Sequence, residues 1–284
     1  MRLKDFLFSY KMIVKSHLIR RKYLQAFRKS LNFPYKFLLN KIRVYFKINK
    51  INLDDYNEFK NQNLDNLFIH FNSDKGSKVK INEKMQEGHY YSKHYEKYFS
   101  KFKNKQNIRI LEIGSLFGAS AASFLNYFDI AQIYCLDISP FNMNFYSKKI
   151  RSIYIDTQSK EIVKDVGNFI NDDFDIIIDD GSHNKRDQIF TLNTFFFKLK
   201  KNGMYVIEDT YQYLTIPALN DDKLNYGINE FLDSIQKTGD HFTSYLNQVE
   251  KKKIQMEIKN IFPEKGNFYY KNQSLNEIIF IEKK

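Results

Sequence analysis

From about residue 108 the chain alternates short apolar runs with segments of helical periodicity. The apolar runs lie at 108–114, 132–137, 150–156, 174–179 and 203–208, and the helical patterns lie near 118–128, 159–170, 185–200 and 227–236. Such alternation predicts parallel strands with helices on both faces of the sheet. The fold class is therefore predicted to be α/β, with a doubly wound, mostly parallel, Rossmann-like sheet.

Both ends of the chain depart from this pattern. Near the C-terminus, 267–271 and 277–282 have the character of two short strands, which predicts a pair at the sheet edge with at least one strand antiparallel. Residues 1–50 predict two amphipathic helices separated near Pro34. We therefore divide the chain into an N-terminal helical appendage, 1–65, and a main domain, 66–284.

The positive charge is confined to the first of these units. The chain of 284 residues has a net charge of +12, yet residues 1–50 alone hold 14 Lys and Arg against one acid, Asp5, a net charge of +13. The remainder has 31 basic and 32 acidic residues, a net charge of −1. Because the predicted sheet domain is not basic, the charge argues against a nucleic-acid-binding protein.

Cysteine content and hydropathy bear on the compartment. The single Cys135 lies in an apolar run, which predicts a buried thiol and excludes an internal disulfide. We find neither a secretory signal nor a run of about 18 apolar residues that would span a bilayer. The expected location is cytoplasmic.

Acidic residues follow two of the apolar runs. Asp179, Asp180 and His183 close one run, and Glu208 and Asp209 close the next. Since the carboxyl ends of parallel strands meet at one edge of a sheet, these side chains should converge there. Carboxylates packed together repel unless a cation lies among them, so the pattern suggests a hard divalent metal.

A second ligand site is predicted at the first strand-to-helix turn. There Gly114 and Ser115 would let a ligand approach the backbone, next to the N-terminus of a helix that can bind a negative group. Asp137 ends the second strand, where a carboxylate commonly holds a ribose diol. The glycine spacing does not match G-x-G-x-x-G, and a merely tight turn is the alternative, but Asp137 favours a nucleoside site.

Taken together, these features resemble the class I S-adenosylmethionine-dependent methyltransferases. More narrowly, the chain resembles the metal-dependent O-methyltransferases that act on macrolide sugars, including those of mycinamicin pathways. The matching segments are 73–76 with 89–99, then 111–114, 178–183 and 206–209. The chain departs from the family at Thr157, where the family has an acid, and residues 1–60 match nothing in it.

The resemblance implies S-adenosylmethionine as methyl donor, Mg²⁺ as metal and a sugar or glycan hydroxyl as acceptor. It assigns the metal ligands to Asp180, Glu208 and Asp209, and the general base to His183. Donor contacts are expected from the residues around the first turns and strand ends, namely Tyr91, Glu112, Gly114, Ser115, Asp137, Asp156, Gln158 and Asp179. Tyr91, with His89 and Tyr95, is expected to form a lid or an aromatic helix packed on the sheet, whereas Asp179 either contacts the donor amino group or holds its turn.

Other functions stay open at this stage. One is different chemistry on the same scaffold, as in the cephalosporin-hydroxylase group, and another is a non-catalytic membrane or nucleic-acid adaptor. An RNA methyltransferase is disfavoured because the N-P-P-Y type of motif is absent.

Residues 1–50 have their own set of interpretations. They would cover the substrate pocket, form an oligomer contact, or attach the protein peripherally to an anionic membrane surface. Nucleic acid and an organellar transit peptide are weaker interpretations of the same segment. Relatives in the family tend to be multimeric, which makes a homo-oligomer an expectation.

Overall fold

The computed structural model describes residues 1–55, 59, 62–221, 223–224 and 226–284. Its helices are α1 (Leu3–Ile19), α2 (Tyr23–Tyr45), α3 (Leu64–Phe71), α4 (Ser92–Phe99), α5 (Ala119–Tyr127), α6 (Lys160–Phe169), α7 (Lys185–Phe195), α8 (Ile228–Thr238) and α9 (Gln248–Glu257). Its strands are β1 (Ile51–Asn52), β2 (Lys78–Ile81), β3 (Lys84–Glu87), β4 (Ile108–Ile113), β5 (Ala131–Asp137), β6 (Phe145–Tyr146), β7 (Ile150–Tyr154), β8 (Phe174–Asp179), β9 (Leu199–Ile207), β10 (Ile258–Glu264), β11 (Tyr269–Tyr270), β12 (Gln273–Ser274) and β13 (Ile278–Lys283).

A seven-stranded sheet runs through the centre in the order β10-β13-β9-β8-β4-β5-β7. The five strands predicted from the sequence pair in parallel, and β13 pairs antiparallel with both β9 and β10. Every residue of β8 is buried, as expected for a strand covered on both faces. The predicted α/β class with a mostly parallel sheet is confirmed.

Each face of the sheet has its own hydrophobic core. Helices α3, α4 and α5 cover one face through side chains such as Phe68, Tyr95 and Phe124. Helices α1, α6, α7 and α8 cover the other, and Met12 and Ile13 of α1 belong to this core. Because the strands are sandwiched between these layers, polar side chains at their carboxyl ends lie at an edge that the helices leave accessible.

The N-terminal segment forms two helices, as predicted, but the break lies elsewhere. The chain turns at residues 20–22, where Arg21 has a φ of 55°, and Pro34 lies inside α2. This turn folds α2 back on α1. The helix break predicted near Pro34 was wrong, because α2 continues through this residue without interruption.

Helix α1 is fastened to the edge strand β7 by polar contacts. Arg151 of β7 donates to Asp5 at 2.6 Å, and Ser9 Oγ accepts the Tyr154 amide at 2.9 Å. Asp5 and Ser9 are fully buried. A domain boundary at residue 65 stays a prediction, but α1 itself is part of the main body and not an appendage.

The C-terminal strand pair is confirmed, although one of its members was misassigned. The partner of β13 is β10, whereas residues 269–270 pair with 273–274 in a separate two-stranded sheet. Helix α9 leads directly into β10 without an intervening loop. No turn signal marks that junction in the sequence, so the strand escaped prediction.

Candidate functional site

The turn after β4 is shaped by Gly114. This residue has a φ of +86°, and a Cβ at this position would lie 1.9 Å from the carbonyl oxygen of Asp180. Only glycine fits such a contact. The β4–α5 turn, predicted to hold the donor, therefore touches the β8–α7 turn, predicted to hold the metal.

Glu112 lies just before this turn, and its carboxylate is enclosed by the protein. It is fully buried, and Ser120 donates to its Oε1, while Oε2 has no hydrogen-bond partner among the residues that the structure describes. Burial raises the pKa of Glu112 to about 7. Nearby Ser115 is also buried, with its hydroxyl on the Glu112 carbonyl at 3.3 Å. The turn thus keeps one carboxylate acceptor available for a ligand donor group.

Asp137 lies at the end of β5, as predicted. Its two carboxylate oxygens accept the amides of Leu116 at 2.8 Å and Ser139 at 2.7 Å. A carboxylate oxygen has a second lone pair, so each can still accept a hydroxyl. The fixed orientation of Asp137 is compatible with a ribose diol.

Two cavities meet at this point. The larger, of about 1000 Å³, is lined by Ser115, Asp180 and His183 among others, and the smaller, of about 160 Å³, by Asp156 and Gln158. Both are lined by Gly114, Asp137 and Gly181. An elongated ligand passing Asp137 would therefore extend into both cavities.

Asp156 lines the smaller cavity, but its carboxylate is already engaged. Ser16 of α1 donates to Asp156 at 2.5 Å, and the Arg20 guanidinium lies 2.7 and 2.8 Å from its two oxygens. Because its charge is neutralised and its oxygens are occupied, Asp156 fastens α1, and its expected contact with the donor stays a prediction. Gln158 is exposed in the wall of the same cavity.

Asp180, His183 and Asp209 converge, whereas Glu208 lies outside this group, with its two oxygens accepting from Lys75 and Tyr95. One ligand atom each of Asp180, His183 and Asp209 lies within 4.8 Å of the others. His183 Nε2 is 3.8 Å from both Asp180 Oδ1 and Asp209 Oδ2. His183 and Asp209 both have a φ of 55°, a left-handed conformation that His and Asp adopt more readily than most residues.

Lys75 was not predicted to have a role in this site. Its ammonium group lies 2.8 Å from Glu208 Oε2 and forms an ion pair with Asp180, and its side chain is only 2% exposed. Burial disfavours its charged form, but Asp180 and Glu208 outweigh this effect and hold the pKa of Lys75 well above its usual value. The sequence signal was the matching segment 73–76, which gave no indication of where Lys75 would point.

The charges of the cluster can be used to test the fit of a metal ion. Asp180, Glu208 and Asp209 bring three carboxylates, and Lys75 brings one positive charge, which leaves a net charge of −2 when all are ionised. Burial raises the pKa of Asp180 and of Glu208, whereas Lys75 opposes that rise. A divalent cation would compensate the remaining charge, and oxygen ligands suit Mg²⁺. The residues therefore fit a hard divalent metal.

Tyr91 and Tyr95 lie beneath the acidic cluster, in the core between α4 and the sheet, which agrees with the expected aromatic helix and not with a lid. Tyr91 is fully buried, with its hydroxyl 2.5 Å from Asp209 Oδ1 and 2.7 Å from the Asn276 carbonyl. Tyr95 is equally buried and donates to Glu208. Burial, with the neighbouring carboxylates, raises the pKa of both far above the usual value, so they remain donors. Tyr91 thus orients Asp209, and its expected contact with the donor stays a prediction.

Asp179 was expected either to contact the donor amino group or to hold its turn. Its Oδ1 accepts the Gly181 amide at 3.2 Å, and Thr191 donates to Oδ2. The residue is 2% exposed, and burial raises its pKa to about 7. These contacts favour a carboxylate that holds the turn.

Comparison with protein families finds a match over the part of the chain that carries this site. Residues 111–210 match the family model described as a methyltransferase domain. The mycinamicin VI 2''-O-methyltransferase of Micromonospora griseorubida is 32% identical over 130 residues, which is 43% of this chain and 32% of that protein. The L-olivosyl-oleandolide 3-O-methyltransferase of Streptomyces antibioticus is 30% identical over 155 residues, 52% of this chain and 37% of that protein.

Among solved structures, the fold matches the methyltransferase MycE from the mycinamycin biosynthetic pathway, in complex with Mg, S-adenosylhomocysteine (SAH) and mycinamycin VI. The TM-score is 0.57 at 23% identity, and the match covers 79% of this chain and 55% of that one. The fold is thus that of a class I methyltransferase. The chain spans about a third of the length of the curated relatives it matches.

Proposed function

Since the chain has a class I methyltransferase fold and resembles the macrolide-sugar O-methyltransferases, we propose that it transfers a methyl group from S-adenosylmethionine to a sugar hydroxyl. The acceptor would be a glycan or a glycosylated metabolite, and the reaction would depend on Mg²⁺. Named relatives include enzymes whose substrates carry a rhamnosyl or olivosyl group, which supports a sugar as acceptor.

A single observation carries this proposal. Gly114 and the backbone of Asp180 approach within van der Waals contact, and Gly114, Asp180 and His183 line the same cavity of about 1000 Å³. A methyl donor in the turn and an acceptor at the cluster would therefore meet across a short distance. Such alignment is the main requirement for transfer from an already activated sulfonium.

The donor would be bound by residues at the ends of β4 and β5. Asp137 would accept the ribose hydroxyls through the lone pairs that its backbone contacts leave available. The unpartnered Glu112 oxygen and the close approach at Gly114 would accommodate the methionine part of the donor. Together they would point the methyl group toward the acidic cluster.

The acceptor would be bound at the other side of the cavity. Asp180, Glu208 and Asp209 would hold the metal, with Lys75, Tyr91 and Tyr95 fixing their orientation. When bound, a divalent cation supplies Lewis-acid assistance that lowers the pKa of an acceptor hydroxyl. His183 would accept the hydroxyl proton at Nε2, which faces the space between Asp180 and Asp209.

The donor site is tested by calorimetry of the purified protein with S-adenosylmethionine, with and without Mg²⁺. We expect binding by the wild type and its loss in Asp137→Ala. A matched variant, Asp129→Ala, removes an aspartate that lies outside the site and should bind as the wild type does. Absence of binding by the wild type under both conditions would overturn the methyltransferase proposal.

The role of His183 is tested separately, because its Nε2 is close enough to Asp180 and Asp209 to serve as a further metal ligand. In His183→Ala, a lost base leaves Mn²⁺ binding intact while turnover falls, on the order of 10²–10⁴-fold for general base catalysis. A lost ligand weakens Mn²⁺ binding itself. Electron paramagnetic resonance of bound Mn²⁺ distinguishes the two outcomes.

A further inference from the structure

Helix α2 exposes a row of apolar side chains to solvent. Leu24, Phe27, Leu31 and Leu38 are each 60–64% exposed. Further exposed apolar residues on this helix and just after it are Tyr23, Tyr35, Ile42, Tyr45 and Phe46. Contiguous exposed apolar surface of this kind marks an interaction site.

This apolar row is distinct from the face that α2 uses for folding. Ala26 and Phe33 are buried, and Phe33 belongs to the core shared with α1. At 100° per residue, Leu31 and Leu38 lie about 120–160° around the helix from Ala26 and Phe33. Helix α2 thus packs one face against the protein, and its apolar row forms another face that none of the described residues covers.

The charge around this row identifies the chemistry of the partner. Arg28 and Lys41 are exposed within about 60–80° of Leu31 and Leu38 around the helix, one on each side of the apolar row. Further exposed cations of the helix are Lys29, Lys36 and Arg43, and no acidic side chain among the described residues pairs with any of the five. The single acid of the segment, Asp5, is buried against Arg151. The surface of residues 1–50 is therefore purely cationic.

These charges favour one partner over the alternatives. A second copy of the chain would bring a segment of charge +13 against another of charge +13, and the two would repel. Nucleic acid would pair with the cations but would leave the leucines and Phe27 in water. An anionic lipid surface satisfies both, because head groups bind the cations while the acyl boundary takes up the apolar side chains.

We propose that α2 lies in the interface of an anionic membrane, with its apolar row inserted and its flanking cations on lipid phosphates. Among the described residues, none of the helices is both long and apolar enough to cross a bilayer. The attachment is therefore peripheral. It does not depend on the proposed methyl transfer and can be tested without substrate.

The position of α2 connects this attachment to the cavity. Directly after the helix, Lys47, Asn49, Lys50 and Ile51 line the cavity of about 1000 Å³. A docked α2 would place this wall of the cavity beside the lipid surface. If the proposed function holds, the acceptor would be a glycan presented at a membrane.

The first test is sedimentation of the full chain with vesicles. We expect binding to an equimolar mixture of phosphatidylglycerol and phosphatidylcholine, weak binding to phosphatidylcholine alone, and release by salt. One Lys or Arg near an anionic surface changes partitioning about fivefold, so Arg28→Gln and Lys41→Gln combined should weaken it about 25-fold. The apolar variant Phe27→Ser, Leu31→Ser, Leu38→Ser should also lose binding, whereas Val249→Ser with Met256→Ser, equally exposed on α9, should not.

The second test uses the absence of tryptophan from the chain. Phe27→Trp introduces a single tryptophan in the apolar row, excited at a wavelength where the tyrosines do not absorb, and Met256→Trp places one on α9 as a control. Anionic vesicles should shift the emission of Trp at position 27 to shorter wavelength and brominated lipid should quench it, with neither effect at position 256.

Three results would overturn the proposal. One is equal binding to neutral and anionic vesicles, or to neither. Another is a wild-type dimer that the apolar variant converts to a monomer, which would show that a second copy covers the row. The third is salt-sensitive binding of RNA, without vesicle binding, that the charge variant abolishes.

Discussion

At the scale of single residues, Glu112 carries a buried carboxylate whose pKa is raised to about 7 by burial. Because this folded-state pKa exceeds the ordinary value of 4.5, the folded protein binds more protons than the unfolded chain between these pH values. The free energy of unfolding should therefore fall as the pH rises from about 4.5 to 7, by about 3 kcal/mol for this group.

Glu112→Gln removes the titrating group and should make that fall shallower. Urea unfolding at a series of pH values measures the effect for the wild type and the variant. Two profiles that stay parallel over this range would contradict the assignment.

Lys75 is the second residue whose substitution should change the free energy of unfolding measurably. Lys75→Met leaves the buried carboxylates Asp180 and Glu208 without their cation, which should lower the free energy of unfolding by about 3–5 kcal/mol in chelator. Mg²⁺ should restore more stability to this variant than to the wild type, since the cluster would carry one more negative charge. Chemical unfolding with and without Mg²⁺ measures both effects.

A matched control is Lys105→Met, which breaks a half-exposed ion pair with Asp175, a residue that Lys200 also contacts. We expect it to cost less than about 1 kcal/mol and to leave the response to Mg²⁺ unchanged. Equal stabilisation of wild type and Lys75→Met by Mg²⁺ would show that Lys75 does not share the site with the metal.

The residue types of the site were predictable, whereas their partners were not. Asp137, Asp180, His183 and Asp209 lie where strand ends predicted them, because periodicity fixes which residues end a strand. The contacts of Tyr91 with Asp209, and of Lys75 with Asp180 and Glu208, join positions more than 100 residues apart. Sequence spacing contains no information about such pairs.

At the scale of elements, α1 is held to the sheet by the buried pair of Asp5 and Arg151. Asp5→Asn removes the charge that Arg151 faces at 2.6 Å, although Asp172 stays 3.6 Å from the same guanidinium. Because a second carboxylate remains, the expected loss of stability is about 2 kcal/mol, below the usual cost of breaking a buried pair. Asp233→Asn, which breaks the exposed pair with Lys237, should have almost no effect.

Thermal unfolding of the two variants checks this expectation. A midpoint for Asp5→Asn equal to that of the wild type would mean that α1 is held by its apolar contacts alone. The same experiment reports on Asp156, because a loosened α1 would also withdraw Ser16 and Arg20 from its carboxylate.

Strongly periodic elements were predictable, and those at junctions were not. The β4, β5, β7, β8 and β9 strands are apolar runs bounded by polar residues, and all five were found. Strand β10 follows α9 directly, and its Lys259 and Asn260 interrupt the apolar run. The proline in α2 misled because its cost, one lost hydrogen bond and a clash with the preceding turn, is local, whereas the buried Ala26 and Phe33 hold the helix on the body of the protein.

At the scale of the whole molecule, residues 1–45 contribute to the core of the sheet. Met12, Ile13 and Phe33 are all at most 5% exposed in it. Removing a buried Met, Ile or Phe costs about 2–5 kcal/mol each, so a chain that begins at residue 46 should lose most of a typical stability of about 5–15 kcal/mol.

We expect no cooperative transition for that truncated chain in near-ultraviolet circular dichroism, which the tyrosines report. A sharp transition at the wild-type temperature would instead restore the original interpretation of residues 1–65 as an appendage. Composition alone could not show whether the N-terminal helices belong to the core, because the same helices carry both a buried and an exposed apolar face.

The contact between Gly114 and the Asp180 carbonyl has a consequence for how sequences with this fold can diversify. A side chain at position 114 would push the two turns apart, so this glycine cannot be replaced while both turns keep their positions. If the proposed function holds, new acceptors would be accommodated farther out, at wall positions such as Val79 and Ile81 on β2 or Ile51 on β1, which belong to elements outside the central sheet. Directed libraries should leave both turns unchanged and vary those walls.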